Sequence, residues 1–108
     1  MTGADTQRIQ ELNDQARQTL TGCRVLITPG VRALDATVAI LGVVQQYSGF
    51  APDNDPYGEH DFGSFQFAGE TIFWKFDYYD LDLTMHSPEP ADPDVTARVL
   101  TILLGREY

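Results

Sequence analysis

The chain has 108 residues, which is the length of one ordinary domain that buries about two-thirds of its unfolded surface. Apolar residues make up 43% and aromatic residues 11%, so the composition excludes a disordered chain. A single cysteine, Cys23, excludes an internal disulfide framework and is typical of a reducing compartment. Residues 1–18 are polar, and no run of 18 apolar residues follows, so we expect a cytoplasmic protein without a signal peptide.

The formal charge of −9 comes from one segment of the chain. Residues 1–52 are balanced, residues 95–108 carry a net +1, and residues 53–94 carry eleven acids against Lys75 alone. Direct binding to nucleic acid requires cations that replace counterions along the phosphates, and this segment offers one. The charge pattern therefore predicts no direct nucleic-acid contact and favours a basic protein partner, and the lack of a long apolar run predicts no membrane contact.

The first half of the chain predicts two helices with a strand between them. Residues 4–20 place Ile9 and Ala16 at helical spacing, and residues 35–47 show a second apolar stripe that predicts the most buried helix. Gly42 interrupts that stripe and predicts close packing against another backbone. Residues 23–28 form a short β-rich run that ends at the turn signal Pro29-Gly30.

The second half predicts three antiparallel strands and a last helix. Residues 64–68 and 71–77 alternate around Gly69-Glu70, and residues 80–85 alternate again after a turn at Tyr78-Tyr79. Asp92-Pro93 is a typical helix start before the apolar stripe of residues 95–104. These elements predict one α+β domain over residues 1–108, in which about three helices cover one face of a three- to four-stranded antiparallel meander.

The loop of residues 53–63 contains the densest polar chemistry. Asp55, Glu59, His60 and Asp61 could serve a small metal-dependent hydrolase, which is the alternative function that we carry. An EF-hand loop is excluded, because Ser64 stands where that loop needs its bidentate glutamate. The same loop also suits a purely structural role in which its side chains cap turn amides and hydrogen-bond the strands. No nucleophile motif, phosphate loop or cofactor fingerprint is present, so we predict no catalytic residues, no metal and no cofactor.

The acidic segment predicts a protein-binding face. On a strand, alternate residues stand about 6.8 Å apart, so Asp80 and Asp82 would form a carboxylate row near the spacing of nucleic-acid phosphates. Exposed tyrosines would add anchors to such a face. The predicted partner-binding residues are Asp53, Asp55, Glu59, Asp61, Asp77, Asp80, Asp82, Tyr57 and Tyr79.

Three stretches resemble a small bacterial domain family of unknown function, from about Gly22 onward. They are the run NDPYGEHDFG at residues 54–63, the run WKFDYYD at residues 74–80, and the tail at residues 90–101. The resemblance implies a stand-alone bacterial protein, often encoded near plasmid- or phage-derived material. It implies no reaction and no catalytic residue.

Together these features predict a non-enzymatic acidic module that binds a basic, nucleic-acid-handling protein complex. Such a module would act as a DNA mimic and inhibit its partner, as anti-restriction and anti-CRISPR proteins do. It would be a monomer, or a homodimer that pairs through an uncovered strand edge.

Overall fold

The computed structural model describes residues 3–108; Met1 and Thr2, which begin the polar start of the chain, lie outside the described residues. Residues 3–108 form three helices and four strands, and a 3₁₀ turn at Gly105–Glu107 follows the last strand. The helices are α1 (Gly3–Thr19), α2 (Pro29–Ala33) and α3 (Thr37–Gln45). The strands are β1 (Arg24–Ile27), β2 (Phe62–Phe67), β3 (Glu70–Tyr79) and β4 (Ala97–Leu104). Within residues 3–108, none of the helices combines the length and apolarity that crossing a membrane requires.

The four strands form one open, mixed sheet in the order β1-β4-β3-β2. Strands β2, β3 and β4 pair antiparallel, whereas β1 runs parallel to β4, with Arg24 opposite Val99 and Ile27 opposite Ile102. The predicted α+β class is confirmed. The predicted meander is wrong, because one pair is parallel and β4 lies between β1 and β3.

The core lies on one face of this sheet. Ile72, Trp74 and Phe76 alternate along β3, and the register sets Ile102 of β4 directly opposite Trp74. The helices meet the same face through residues that include Ala16, Val31, Ile40 and Val44. All three helices therefore cover a single face, which leaves the other face to side chains such as Gln66, Lys75 and Asp77, as the alternation of the hairpin predicts.

The predicted last helix is instead the strand β4. Its register partners on both sides bury Val99 and Leu103 on one face as well as Leu100 and Ile102 on the other. A strand that is buried on both faces has a continuous apolar run, and such a run contains helical spacing by chance. The segment forms a strand because it pairs with both β1 and β3.

The predicted third strand at residues 80–85 is a turn, and Tyr78-Tyr79 belong to β3 rather than to a turn. Leu83 adopts a φ of 61°, which breaks the extended backbone. Asp80 closes the turn, because its Oδ1 accepts the Thr84 amide at 3.0 Å. The alternating Leu81, Leu83 and Met85 are exposed to solvent. Asp80 and Asp82 therefore do not stand at strand spacing.

The helix α3 is less buried than its sequence predicts. Val38 is 85% exposed, and only Ile40 and Val44 of the helix are fully buried. A Cβ atom built on Gly42 would meet nothing within 4 Å, so the prediction of close packing at Gly42 is wrong. The close approach lies at Gly63 of β2, where a Cβ atom would come 2.5 Å from the Trp74 indole nitrogen.

We expect Gly63→Ala to lower the free energy of unfolding by about 1–3 kcal/mol, because the added methyl group forces Trp74 out of its packed position. Urea denaturation of both forms measures the difference. Gly42→Ala is the matched control, and the better helix propensity of alanine should raise stability by up to about 1 kcal/mol. Equal effects of the two substitutions would contradict this account of the Trp74 contact.

Candidate functional site

The strand order brings two acidic segments to the same end of the sheet. Strand β2 begins, β3 ends and β4 begins at this end, since Tyr79 pairs with Ala97 and Phe62 pairs with Lys75. Residues 50–61 enter β2, and residues 80–96 connect β3 to β4. We call these two segments the acidic end. They contain no lysine or arginine, and their acids are Asp53, Asp55, Glu59, Asp61, Asp80, Asp82, Glu89, Asp92 and Asp94.

The acids of this end have little internal compensation. Lys75 pairs with Asp77 at 2.7 Å on the sheet face, and Arg106 pairs with Glu70 at 3.4 Å where β3 starts. Among residues 3–108, an ion pair reaches the acids of this end at Asp55, whose Oδ2 lies 3.6 Å from a nitrogen of His60, while His60 itself also faces Asp14 of α1 at 2.8 Å. Most of these carboxylates therefore have no ion-pair partner within the described residues.

The helix α1 holds the loop of residues 50–61 in place through polar side chains. The Gln10 amide donates to the Gly58 carbonyl at 2.8 Å, and the Asn13 amide donates to the Glu59 carbonyl at 3.1 Å. Asp14 contacts the His60 ring at 2.8 Å and Arg17 at 3.1 Å. The stripe predicted for this helix, with Ile9 and Ala16, includes none of these polar residues. Their spacing of 10, 13, 14 and 17 is a second helical stripe, and it could have revealed them.

His60 connects α1 to the loop through contacts with both. Its ring stacks on Phe50 with the centroids 3.7 Å apart and the planes 2° from parallel. Its Nδ1 faces Asp14, and its backbone amide donates to the buried Asp55 carboxylate at 3.2 Å. Asn54 adds a turn cap, because its Oδ1 accepts the Ala51 amide at 2.8 Å. These contacts give the loop a rigid shape without any ligand.

The four residues of the hydrolase alternative divide between two places. Asp55 and His60 face each other beside Phe50, whereas Glu59 and Asp61 line a different cavity. Within residues 3–108, no three side chains of histidine, cysteine, aspartate or glutamate are grouped so that they could hold a metal ion. The geometry therefore gives this alternative no assembled centre in the described part of the chain.

A buried polar network underlies the acidic end. Asn13 is fully buried, donates to the Tyr78 hydroxyl at 2.8 Å and accepts the Arg98 Nε at 2.8 Å. The Tyr78 hydroxyl in turn donates to Glu59 Oε1 at 2.9 Å. Burial raises the pKa of Tyr78 and lowers the pKa of Arg98. The phenol thus stays protonated and keeps Glu59 oriented as an acceptor.

A cavity of about 620 Å³ opens beside this network. Its wall combines apolar groups and the Tyr78 ring of β3 with carboxylates that come from α1 and from both acidic segments. The residues that define it are Ile9, Tyr57, Glu59, Asp61, Tyr78 and Glu89. The cavity lies at the acidic end.

Ionisation of Asp61, an acid of this end, lowers the free energy of unfolding. Burial of its side chain raises the pKa of Asp61, and the neighbouring charge of Glu59 raises it further. Its backbone carbonyl accepts the Phe76 amide at 2.9 Å, so the residue cannot move away from the sheet. A positive charge in the cavity would relieve this cost.

The remaining residues of the predicted binding face are spread over the same end rather than aligned in one row. Asp53 and Asp82 are exposed in the two segments, and Tyr57 is 75% exposed beside the cavity. The hydrogen bond from the Thr84 amide lowers the pKa of Asp80. Tyr79 is the last residue of β3. Asp77 lies two residues earlier in the same strand, on the open face of the sheet.

We expect Asn13→Ala to lower the free energy of unfolding by about 3 kcal/mol, because it leaves Arg98 and Tyr78 buried without their shared partner. Urea denaturation measures the loss. Gln15→Ala, at an exposed position of the same helix, is the control and should change stability by less than about 0.5 kcal/mol. A loss below about 1 kcal/mol for Asn13→Ala would show that the network does not support the fold.

We expect Asp61→Asn to be more stable than the parent chain at pH 7. The pKa of Asp61 is raised in the folded state, so below its ordinary value of 3.8 the side chain is protonated and does not lower the free energy of unfolding. As the pH rises through the raised pKa, the side chain ionises and the free energy of unfolding falls. The advantage of Asp61→Asn should therefore shrink as the pH falls towards 3.8. Thermal unfolding of both forms across this range measures it, and an advantage that does not vary with pH would contradict the assignment.

Comparison with known proteins yields one family and no described relative. No curated protein and no solved structure matches the chain. The model of a family described as a protein of unknown function (DUF3768) matches residues 27–107, which include β2, β3, β4 and both segments of the acidic end. The chain therefore belongs to the DUF3768 family of proteins of unknown function.

Proposed function

We propose that the protein is an acidic protein-binding module whose acidic end docks onto a basic protein that handles nucleic acid. One observation carries this proposal: two segments without any lysine or arginine meet at one end of the sheet, and within residues 3–108 their carboxylates form no ion pair apart from the Asp55–His60 contact. No comparable concentration of charge exists in residues 1–52, where acids and bases balance.

Carboxylates held close together destabilise the fold that holds them. Burial raises the pKa of Asp61 most, and the neighbouring charge of Glu59 raises it further. A basic partner would recover that cost on binding, and the field of the acidic end would speed its approach. The rigid attachment of residues 50–61 to α1 supports docking without a large ordering penalty.

The partner that this chemistry favours presents a positively charged groove, as proteins that bind DNA or RNA do. Occupation of such a groove would displace nucleic acid, so the module would inhibit its partner in the manner of an anti-restriction or anti-CRISPR protein. The imitation of DNA would rest on overall negative charge rather than on a strand with phosphate spacing. We place this activity in the bacterial cytoplasm, in connection with plasmid- or phage-derived genes.

We expect the full chain, immobilised and exposed to nuclease-treated bacterial lysate, to capture a basic nucleic-acid-handling protein at low salt and to release it in about 0.5 M salt. The purified partner should then lose its nucleic-acid binding when the chain is added. Asp53→Lys/Asp82→Lys, at two exposed positions of the acidic end, should weaken capture about tenfold or more.

Glu70→Lys is the matched control for this experiment. Compared with the single variant Asp53→Lys, it makes the same charge change at the opposite end of β3, where Glu70 pairs with the exposed Arg106. Capture should be nearly unchanged. Equal losses in both variants would mean that net charge alone attracts the partner, and the absence of any basic partner at low salt would refute the proposal.

A further inference from the structure

We propose that the cavity beside Tyr78 is the binding site for an arginine side chain of the partner, an inference that rests on the proposed function. The cavity would receive the guanidinium group while the surrounding acids meet the rest of the basic surface. This gives the acidic end one anchoring point of defined shape in addition to its diffuse field.

The first support is the shape and the apolar character of the cavity. Its volume of about 620 Å³ falls within the range of about 300–1,000 Å³ that ligand sites occupy. Ile9, Pro88 and Pro90 line it beside the rings of Tyr57 and Tyr78. Such a wall suits the aliphatic stem of a long cationic side chain, which buries its methylene groups while its head finds carboxylates.

The second support is the pairing of aromatic rings with carboxylates. Arginine is planar, stacks on aromatic faces and binds carboxylates through a fork of donors, whereas lysine is a compact and strongly hydrated charge. The protein already uses this chemistry internally, because the Arg98 guanidinium lies 5.2 Å from the centroid of the Tyr78 ring. Arg98 itself does not line the cavity.

The third support is charge complementarity. Glu59, Asp61 and Glu89 line the cavity, and among the described residues no lysine or arginine does. The Tyr78 hydroxyl holds Oε1 of Glu59, and within the described chain no hydrogen bond engages Oε2. His86 adds an imidazole to the lining. A guanidinium group would bring a positive charge to these carboxylates and favour the ionised state that burial disfavours at Asp61.

The test uses three small probes on the full chain, two of which are capped tripeptides of the same size. The peptide acetyl-Gly-Arg-Gly-amide carries the proposed group, the citrulline peptide replaces it with a neutral isostere, and free arginine adds a carboxylate that the acidic end repels. Heteronuclear NMR titration follows the amide signals of residues 57–61 and 86–90. We expect the arginine peptide to bind about tenfold or more tightly than the citrulline peptide.

Two variants that keep side-chain size locate the site. Glu59→Gln and Asp61→Asn should each weaken the arginine peptide about five- to tenfold, and thermal unfolding should show that both remain folded. Asp53→Asn removes the same charge from an exposed position outside the cavity and should leave binding within about twofold.

Three results would overturn the inference. They are equal binding of the arginine and citrulline peptides, tighter binding of free arginine than of the arginine peptide, and equal losses in Asp53→Asn and Glu59→Gln. Capture of the basic partner separates this inference from the proposed function. If Glu59→Gln and Asp61→Asn capture the partner with full strength, the cavity inference fails and the proposed function stands. If the peptides bind as expected but no basic partner is captured, the proposed function fails instead.

Discussion

The structure depends on one buried hydrogen-bond network that joins four parts of the chain. Asn13 of α1 contacts Arg98 of β4, Tyr78 of β3 and the Glu59 carbonyl of the loop. A buried amide and a buried guanidinium are costly without partners, so each residue of the network requires the others. The second nitrogen of Arg98 donates to the Pro90 carbonyl at 2.6 Å, which extends the network into residues 80–96. Both acidic segments are therefore held by the same few side chains.

This arrangement reconciles high negative charge with a defined surface. The acids extend from two connecting segments at one end of the sheet, whereas the core of Ile72, Trp74 and Ile102 lies along its middle. Repulsion among the acids thus acts on segments that polar contacts hold to α1, and it leaves the apolar core unaffected. The cavity lies at this junction, where Tyr78, at the edge of the apolar core, donates a hydrogen bond to Glu59 of the polar loop. A charged end with a fixed shape is what recognition of a basic partner requires.

Local patterns predicted the elements whose contacts are close in sequence. The hairpin of β2 and β3 follows from alternation around Gly69, and α1 follows from its apolar stripe. The same patterns failed for β4, because helical spacing and a doubly buried strand look alike in a short apolar run. They failed again at residues 80–85, where alternation is present but the Asp80 turn and the lack of a neighbouring strand leave Leu81 and Met85 in solvent.

The sequence by itself determined the α+β class, the segregation of charge into residues 53–94 and the turn chemistry of the polar loop, since these depend on composition and on neighbours along the chain. Only the tertiary structure decided the parallel pairing of β1 with β4, the contact of Asp14 with His60 and the cavity between Glu59 and Tyr78. Each of these joins residues that are far apart in sequence. These contacts form only when the chain closes long loops and when the fold brings hydrogen-bond partners to buried polar groups. A local sequence pattern contains information about neither.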